Sequence, residues 1–133
     1  MILTGAALML CVLSIFYGFR IRQSIATGEI EQFRIEVLNG TGRVGLAAKA
    51  AEALRKANID VLEVDNADNF HYKESIVIAR RKDHDADVLA KKLGCDNVIE
   101  QLVEDSIVDA TLILGADYET LNLDLRSDSR LYE

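Results

Sequence analysis

Residues 40–45, Gly-Thr-Gly-Arg-Val-Gly, spell G-x-G-x-x-G, and Asp65 follows about twenty residues later near the end of the next strand-like run. In a nucleotide-binding βαβ unit such glycines let the backbone approach a pyrophosphate at a helix amino end, while the acid takes the ribose hydroxyls. The same spacing has a plainer use, in which Gly40 and Gly42 make a tight turn, Gly45 admits close helix-on-sheet packing, and Asn39 or Thr41 caps the helix. The plainer use suits this chain better. No second crossover helix precedes the third strand, the chain is short, and an apolar segment stands before the motif.

Other residues that could do chemistry also have structural uses. Asp65, Asn66, Asp68 and Asn69 resemble part of a calcium loop, but the glycine and the distant glutamate of such a loop are missing. Asp83, His84, Asp85 and Asp87 have the types of metal ligands, yet alternate acids at a helix start serve as caps that complement the helix dipole. His71 and His84 are the only histidines, and neither stands in a Ser/His/Asp or Cys/His pattern. Of the two cysteines, Cys11 lies in the apolar segment and Cys95 follows Gly94, where it reads as a small buried residue. The sequence therefore specifies no catalytic constellation, no metal site and no cofactor.

The elements that must position these residues follow from hydrophobic period. Residues 33–38 (FRIEVL) alternate as a half-buried strand, and Leu46, Ala50, Leu54 and Ala57 line one face of a helix ending near Asn58. Residues 59–64 (IDVLEV) form a second strand, the Asp- and Asn-rich 65–72 a turn, and 75–79 (SIVIA) a third strand. After Arg80, Arg81 and Lys82 a second helix runs to Leu93 with Gly94 as its stop, followed by strands over 97–103 and 110–114. The order β-α-β-β-α-β-β predicts an α+β fold, with an antiparallel or mixed sheet and helices on one face. Only about ten residues separate the second and third strands, so these are expected to pair as a hairpin.

Residues 2–19 (ILTGAALMLCVLSIFYGF) carry no charge. As a helix they would extend roughly 27 Å at about 1.5 Å per residue, just enough to span a bilayer core. Phe16, Tyr17 and Phe19 gather before Arg20 and Arg22, as at a membrane interface. A cleaved signal peptide fits less well, because a basic start and a small-residue cleavage site are both missing. The expected division is an anchor with its basic flank over 1–22, a spacer over 23–32, one domain over 33–118 and a polar, fraying tail over 119–133. The chain of 133 residues has a formal net charge of −7. Setting Arg20 and Arg22 aside leaves 13 basic against 22 acidic side chains, about −9, which disfavours nucleic acid as a partner.

Val37-Leu38-Asn39-Gly40-Thr41-Gly42 with Gly45-Leu46-Ala47, then Asp65-Asn66-Ala67-Asp68, then Leu114-Gly115-Ala116-Asp117-Tyr118 form three blocks in one order. In these blocks the chain resembles the LytR C-terminal domain of the LytR/CpsA/Psr envelope proteins, over about residues 33–118. The resemblance implies a single-pass, extracytoplasmic module of the cytoplasmic membrane, associated with the cell wall and without the catalytic domain that precedes such modules in glycopolymer ligases. The two arginines after the apolar segment, taken alone, would keep the domain inside; the family resemblance outweighs so small a bias. The expected function is non-catalytic binding of peptidoglycan or an envelope protein. Its residues would be Asn39, Gly40, Thr41 and Gly42, then Asp65, Asn66, Asp68, Asn69 and Phe70, then Asp117 and Tyr118. The alternatives are a nucleotide-binding protein using the glycine loop and a membrane-tethered scaffold that docks proteins by a strand edge.

Overall fold

A computed structural model describes residues 9–12, 14 and 32–125. The chain divides into two units, Met1–Glu31 and Gln32–Glu133. In the first, residues 9–12 and 14 are helical. The rest of the expected anchor and spacer lies outside the described residues, as do residues 126–133 of the expected tail. Among the described residues no helix is long and apolar enough to cross a membrane.

The second unit contains strands β1 (Arg34–Asn39), β2 (Asp60–Asn66), β3 (Ile76–Ala79), β4 (Val98–Glu100) and β5 (Ala110–Leu114). Its helices are α1 (Leu46–Lys56) and α2 (Ala86–Leu93), and a 3-10 turn covers Tyr118–Thr120. The alternation read in β1 is realised as Ile35 and Val37 wholly buried between half-buried Arg34, Glu36 and Leu38. On α1 the predicted stripe of Leu46, Ala50 and Leu54 is buried together with Ala47 and Ala51. The acids before α2 act as expected of caps: the Asp85 side chain accepts from the Asp87 amide at 3.0 Å, and Gly94 closes the helix.

The strands form one mixed sheet in the order β2-β1-β5-β3-β4. β1 runs parallel to both β2 and β5, β3 antiparallel to β5, and β3 parallel to β4. One core cluster joins Ile35, Val37, Val77, Leu112 and Leu114 of the sheet to Leu46, Ala50 and Leu54 of α1 and to Leu89, Ala90 and Leu93 of α2. Both helices therefore cover the same face.

The expected hairpin between the second and third strands does not form. β2 is an edge strand beside β1, and β1 and β5 separate it from β3. A segment of nine residues can extend about 30 Å, whereas three strand spacings at about 4.8 Å need only half of that. The 67–75 connection instead crosses the end of the sheet. It is held there by Ala67 N to Asn39 O at 2.9 Å and Tyr72 N to Gly40 O at 3.3 Å.

Two further expectations change at the carboxyl side. The fourth strand is three residues long rather than seven, with Gln101 N and Val103 N bonding on to Ala79 O and Arg80 O beyond it. The tail does not fray at once: Leu121 is buried and Asn122 N donates to Leu93 O at 2.8 Å, because leucines in the polar run reach the core.

Candidate functional site

β1 and β5 are parallel, with Asn39 beside Leu114, and β2 ends alongside with Asn66 beside Asn39. Loops following these strands leave the sheet at one end, which brings together 40–45, 67–75 and 115–118. Backbone bonds join them: Gly40 N to Leu114 O and Ala116 N to Tyr72 O, both at 2.9 Å, and Asp117 N to Lys73 O at 3.2 Å. The three blocks named from sequence are thus neighbours in space.

Asn39 shapes the glycine loop from below. Its Oδ1 accepts from the Thr41 amide at 3.0 Å and the Thr41 hydroxyl at 2.8 Å, while its Nδ2 donates to Arg43 O at 2.7 Å. Neither Asn39 nor Thr41 caps α1 as expected, because Asn39 is still in the β ladder and its side chain is used within the loop. Gly45 takes the cap position at φ 79° without a side-chain cap. Nothing lies within 4 Å of where its Cβ would stand, so a left-handed backbone and not close packing requires this glycine.

The other two glycines are covered by rings of the chain itself. A Cβ on Gly40 would stand 2.7 Å from Leu114 O and from Tyr72 Cδ2, and one on Gly42 would stand 3.3 Å from Phe70 Cγ. Tyr72 and Phe70 thus lie on backbone that a bound pyrophosphate would have to approach, which counts against the nucleotide alternative.

At the third loop the Asp117 carboxylate accepts from both the amide and the hydroxyl of Ser75 at 2.7 Å. Ser75 is 1% exposed, and its Oγ accepts from the Gly115 amide at 3.0 Å. Asp117 therefore fastens the corner to the start of β3. Tyr118 is buried; its hydroxyl accepts from the Arg43 guanidinium, which also lies 5.6 Å from the ring centre.

Asp65, Asn66, Asp68, Asn69 and Phe70 face outward. Asp65 accepts from the Asn66 amide at 2.7 Å and Asn69 Oδ1 from the His71 amide at 2.9 Å, both local turn contacts. Asp68 accepts from the Tyr72 hydroxyl at 2.7 Å, a bond that holds its carboxyl below the ordinary range and raises the Tyr72 phenol. The candidate residues therefore divide by role. Asn39, Gly40, Asp117 and Tyr118 build the platform, while Thr41, Gly42 and residues 65–70 form its outer surface.

A cleft of about 800 Å³ adjoins this surface. Arg43 and Lys49 line it from α1 and the loop before it, Glu119 and Asp124 from the chain after Asp117, with Tyr118 and Leu121 between. Sequence reasoning passed over Arg43, Lys49, Tyr72, Ser75 and Glu119. Arg43 occupied a variable position of the glycine motif, and nothing in the local pattern of the others shows that distant loops meet there.

The remaining chemical residues sit at the opposite end. Asp109, whose side chain is 0% exposed, accepts from the Arg34 amide at 2.8 Å, with Arg34 Nη2 and His84 Nε2 each 3.5 Å from its other oxygen. Asp83 is paired with Arg81 at 2.6 Å, and that bond lowers its carboxyl to about 2. Cys95, by contrast, lies behind the candidate corner: it donates from Sγ to Ser75 O at 3.3 Å, and burial raises its thiol. Among the described residues no group of three His, Cys, Asp or Glu side chains is placed to hold a metal ion.

A family model described as LytR cell envelope-related transcriptional attenuator matches residues 32–118, which contain β1 to β5 with α1 and α2. Comparison with curated proteins and with solved structures gives no match.

Proposed function

Because the chain belongs to the LytR C-terminal domain family, a cell envelope-related family, we propose that it is a non-catalytic envelope module that binds peptidoglycan or an envelope protein. On this reading residues 2–19 tether it to the cytoplasmic membrane by one span, and the domain works on the outer side. The ligand rests on the outer surface formed by Thr41, Gly42, Asp68, Asn69 and Phe70 and extends toward the cleft beside Arg43.

The observation that carries this reading is the convergence of three loops on one end of the sheet, with an internal bonding network that leaves their outer side exposed. Loops held on a rigid scaffold are the usual place for recognition. Carboxamides and carboxylates supply hydrogen-bond partners for sugar hydroxyls or peptide amides, and the half-exposed Phe70 offers a flat apolar face. The glycines serve the chain's own turn and rings, so no phosphate-binding role is left for them.

Incubating the full chain in detergent micelles with purified sacculi and pelleting them tests the glycan branch. Pelleting at low and moderate salt alike is expected, since an acidic domain gains nothing from long-range attraction to wall polyanions. Material that stays in the supernatant at both salts refutes that branch.

A further inference from the structure

We infer that the cleft beside Arg43 is a subsite for the free carboxylate of a short peptide, held by the Arg43 guanidinium and the Lys49 ammonium. The inference rests on the envelope-binding reading under Proposed function and gives the ligand of that surface a chemical end.

The cleft, about 800 Å³, has the volume of a small-ligand site. Both of its walls are anchored. On one side Leu46, at the start of α1, is buried, and Arg43 and Lys49 stand exposed three residues before and after it. On the other, Thr120 N donates to Asp117 O and Asn122 N to Leu93 O, each at 2.8 Å, with Leu121 buried between them. A ligand therefore meets walls that are already ordered, which lowers the cost of binding.

Arg43 is oriented without any ligand. Its Nη1 donates to the Tyr118 hydroxyl, and its guanidinium carbon lies 5.6 Å from the centre of that buried ring. At the other end of the sheet Arg34 and Arg81 are paired with the carboxylates of Asp109 and Asp83. Among the described residues Arg43 and Lys49 have no carboxylate partner, although beyond Arg22 the chain carries 22 acids against 13 bases. A guanidinium fixed at one corner keeps its other N–H groups for a planar acceptor, and a carboxylate fits that fork.

The rest of the lining limits what the carboxylate belongs to. Glu119, whose Oε1 lies 3.4 Å from the Tyr118 hydroxyl, and Asp124 also line the cleft. Together with the net negative charge of the domain they repel phosphates and other multiply charged anions, whereas a single carboxylate brings one charge to two cations. Leu46, Leu121 and Leu123 add an apolar lining for small aliphatic side chains. An unblocked peptide end combines one carboxylate, uncharged amides and compact apolar side chains. Gly42 directly precedes Arg43, so a peptide that ends in the cleft continues onto the loop surface already assigned to the ligand.

The test titrates tetra-alanine into the full chain in nonionic detergent micelles and follows backbone amide shifts by NMR. Concentrations up to about 20 mM are used, because a ligand of this size with one ion-paired end binds in the millimolar range. Shifts are expected at residues 43–49 and 118–121. Tetra-alanine amide, which lacks the terminal charge, should bind about tenfold more weakly, and so should the free peptide to Arg43→Gln or Lys49→Gln; the loss of a charge-assisted bond has about that effect. Lys56→Gln removes a charge from the far end of α1 and should leave binding unchanged. All three side chains are exposed, so the fold is kept. Sacculi whose carboxyl groups have been converted to methylamides form a second arm. Reduced pelleting assigns the bound carboxylate to wall peptide, whereas undiminished pelleting with tetra-alanine binding intact assigns it to the carboxyl end of a protein.

Free and amidated peptide binding equally, or inorganic phosphate binding as tightly as tetra-alanine, overturns the inference. So does the absence of shifts at 43–49 and 118–121. If the unsubstituted protein then still pellets with untreated sacculi, the loop surface stands without this subsite; if it does not, the glycan branch falls as well.

Discussion

Replacing Asp117 by alanine removes the acceptor for two hydrogen bonds at 2.7 Å, from the amide and the hydroxyl of a serine that is 1% exposed. Bonds to a charged group contribute about 1.5–3 kcal/mol each when intact. Asp117 is only partly buried, so the lower part of that range applies, and the combined loss should be about 3 kcal/mol. For a domain of this size each kcal/mol shifts the midpoint by roughly 4–8 °C, which gives a fall of about 12–24 °C. Asp117→Asn keeps an oxygen acceptor in place and should cost about 1 kcal/mol. Combining Asp117→Ala with Ser75→Ala should cost clearly less than the sum of the single changes, since both remove one shared interaction. Thermal unfolding of the full chain in nonionic detergent at pH 7, followed by circular dichroism, measures all of these. An Asp117→Ala midpoint within experimental error of the unsubstituted protein would refute the role of this carboxylate as the clasp of the corner.

Gly42→Val should destabilise by more than about 1 kcal/mol, because the left-handed backbone at φ 73° and the ring of Phe70 both resist a side chain; equilibrium denaturation checks this. Gly45→Ala meets no steric neighbour and should cost about 1 kcal/mol from backbone strain alone, less than Gly42→Val in the same assay. The Asp83 carboxyl should titrate near pH 2 by NMR, and Arg81→Ala should return it to about 4. Since the folded value is depressed, the stabilisation from this pair is present above about pH 4 and is lost as pH falls through 2. In a Cys11→Ser background, Cys95 should react with a maleimide at pH 7 far more slowly in the folded protein than in denaturant, because burial both shields the thiol and raises it.

Local pattern located the elements well where one face is buried. The β5 span, the Leu46 stripe of α1 and the Gly94 stop all correspond to periodic or capping signals that act over a single turn or strand. Pairing was harder to read. The short link after β2 suggested a hairpin, but the run of β5, apolar except for Thr111 and buried at every position, is the mark of a central strand, here flanked by β1 and β3. Given its proper weight, that run places β5 inside the sheet and pushes β2 to an edge. The candidate surface was legible as three blocks of turn residues. The bonds that unite them, Ser75 with Asp117 and Arg43 with Tyr118, join positions 42 and 75 residues apart, and no local periodicity carries such information. Helix capping failed for a related reason: Asn39 has the right type for a cap, but the loop's own amides claim its side chain first.

The central claim is that the outer surface at the carboxyl ends of β1 and β5 recognises an envelope ligand. Its most direct measurement is sacculus pelleting of the full chain alongside Phe70→Ala and Asn69→Ala. Both residues are exposed and neither packs in the core, so these variants should keep the fold. The account predicts that the unsubstituted protein pellets and that each variant loses at least tenfold in bound fraction at limiting sacculi. Equal pelleting of all three would contradict it.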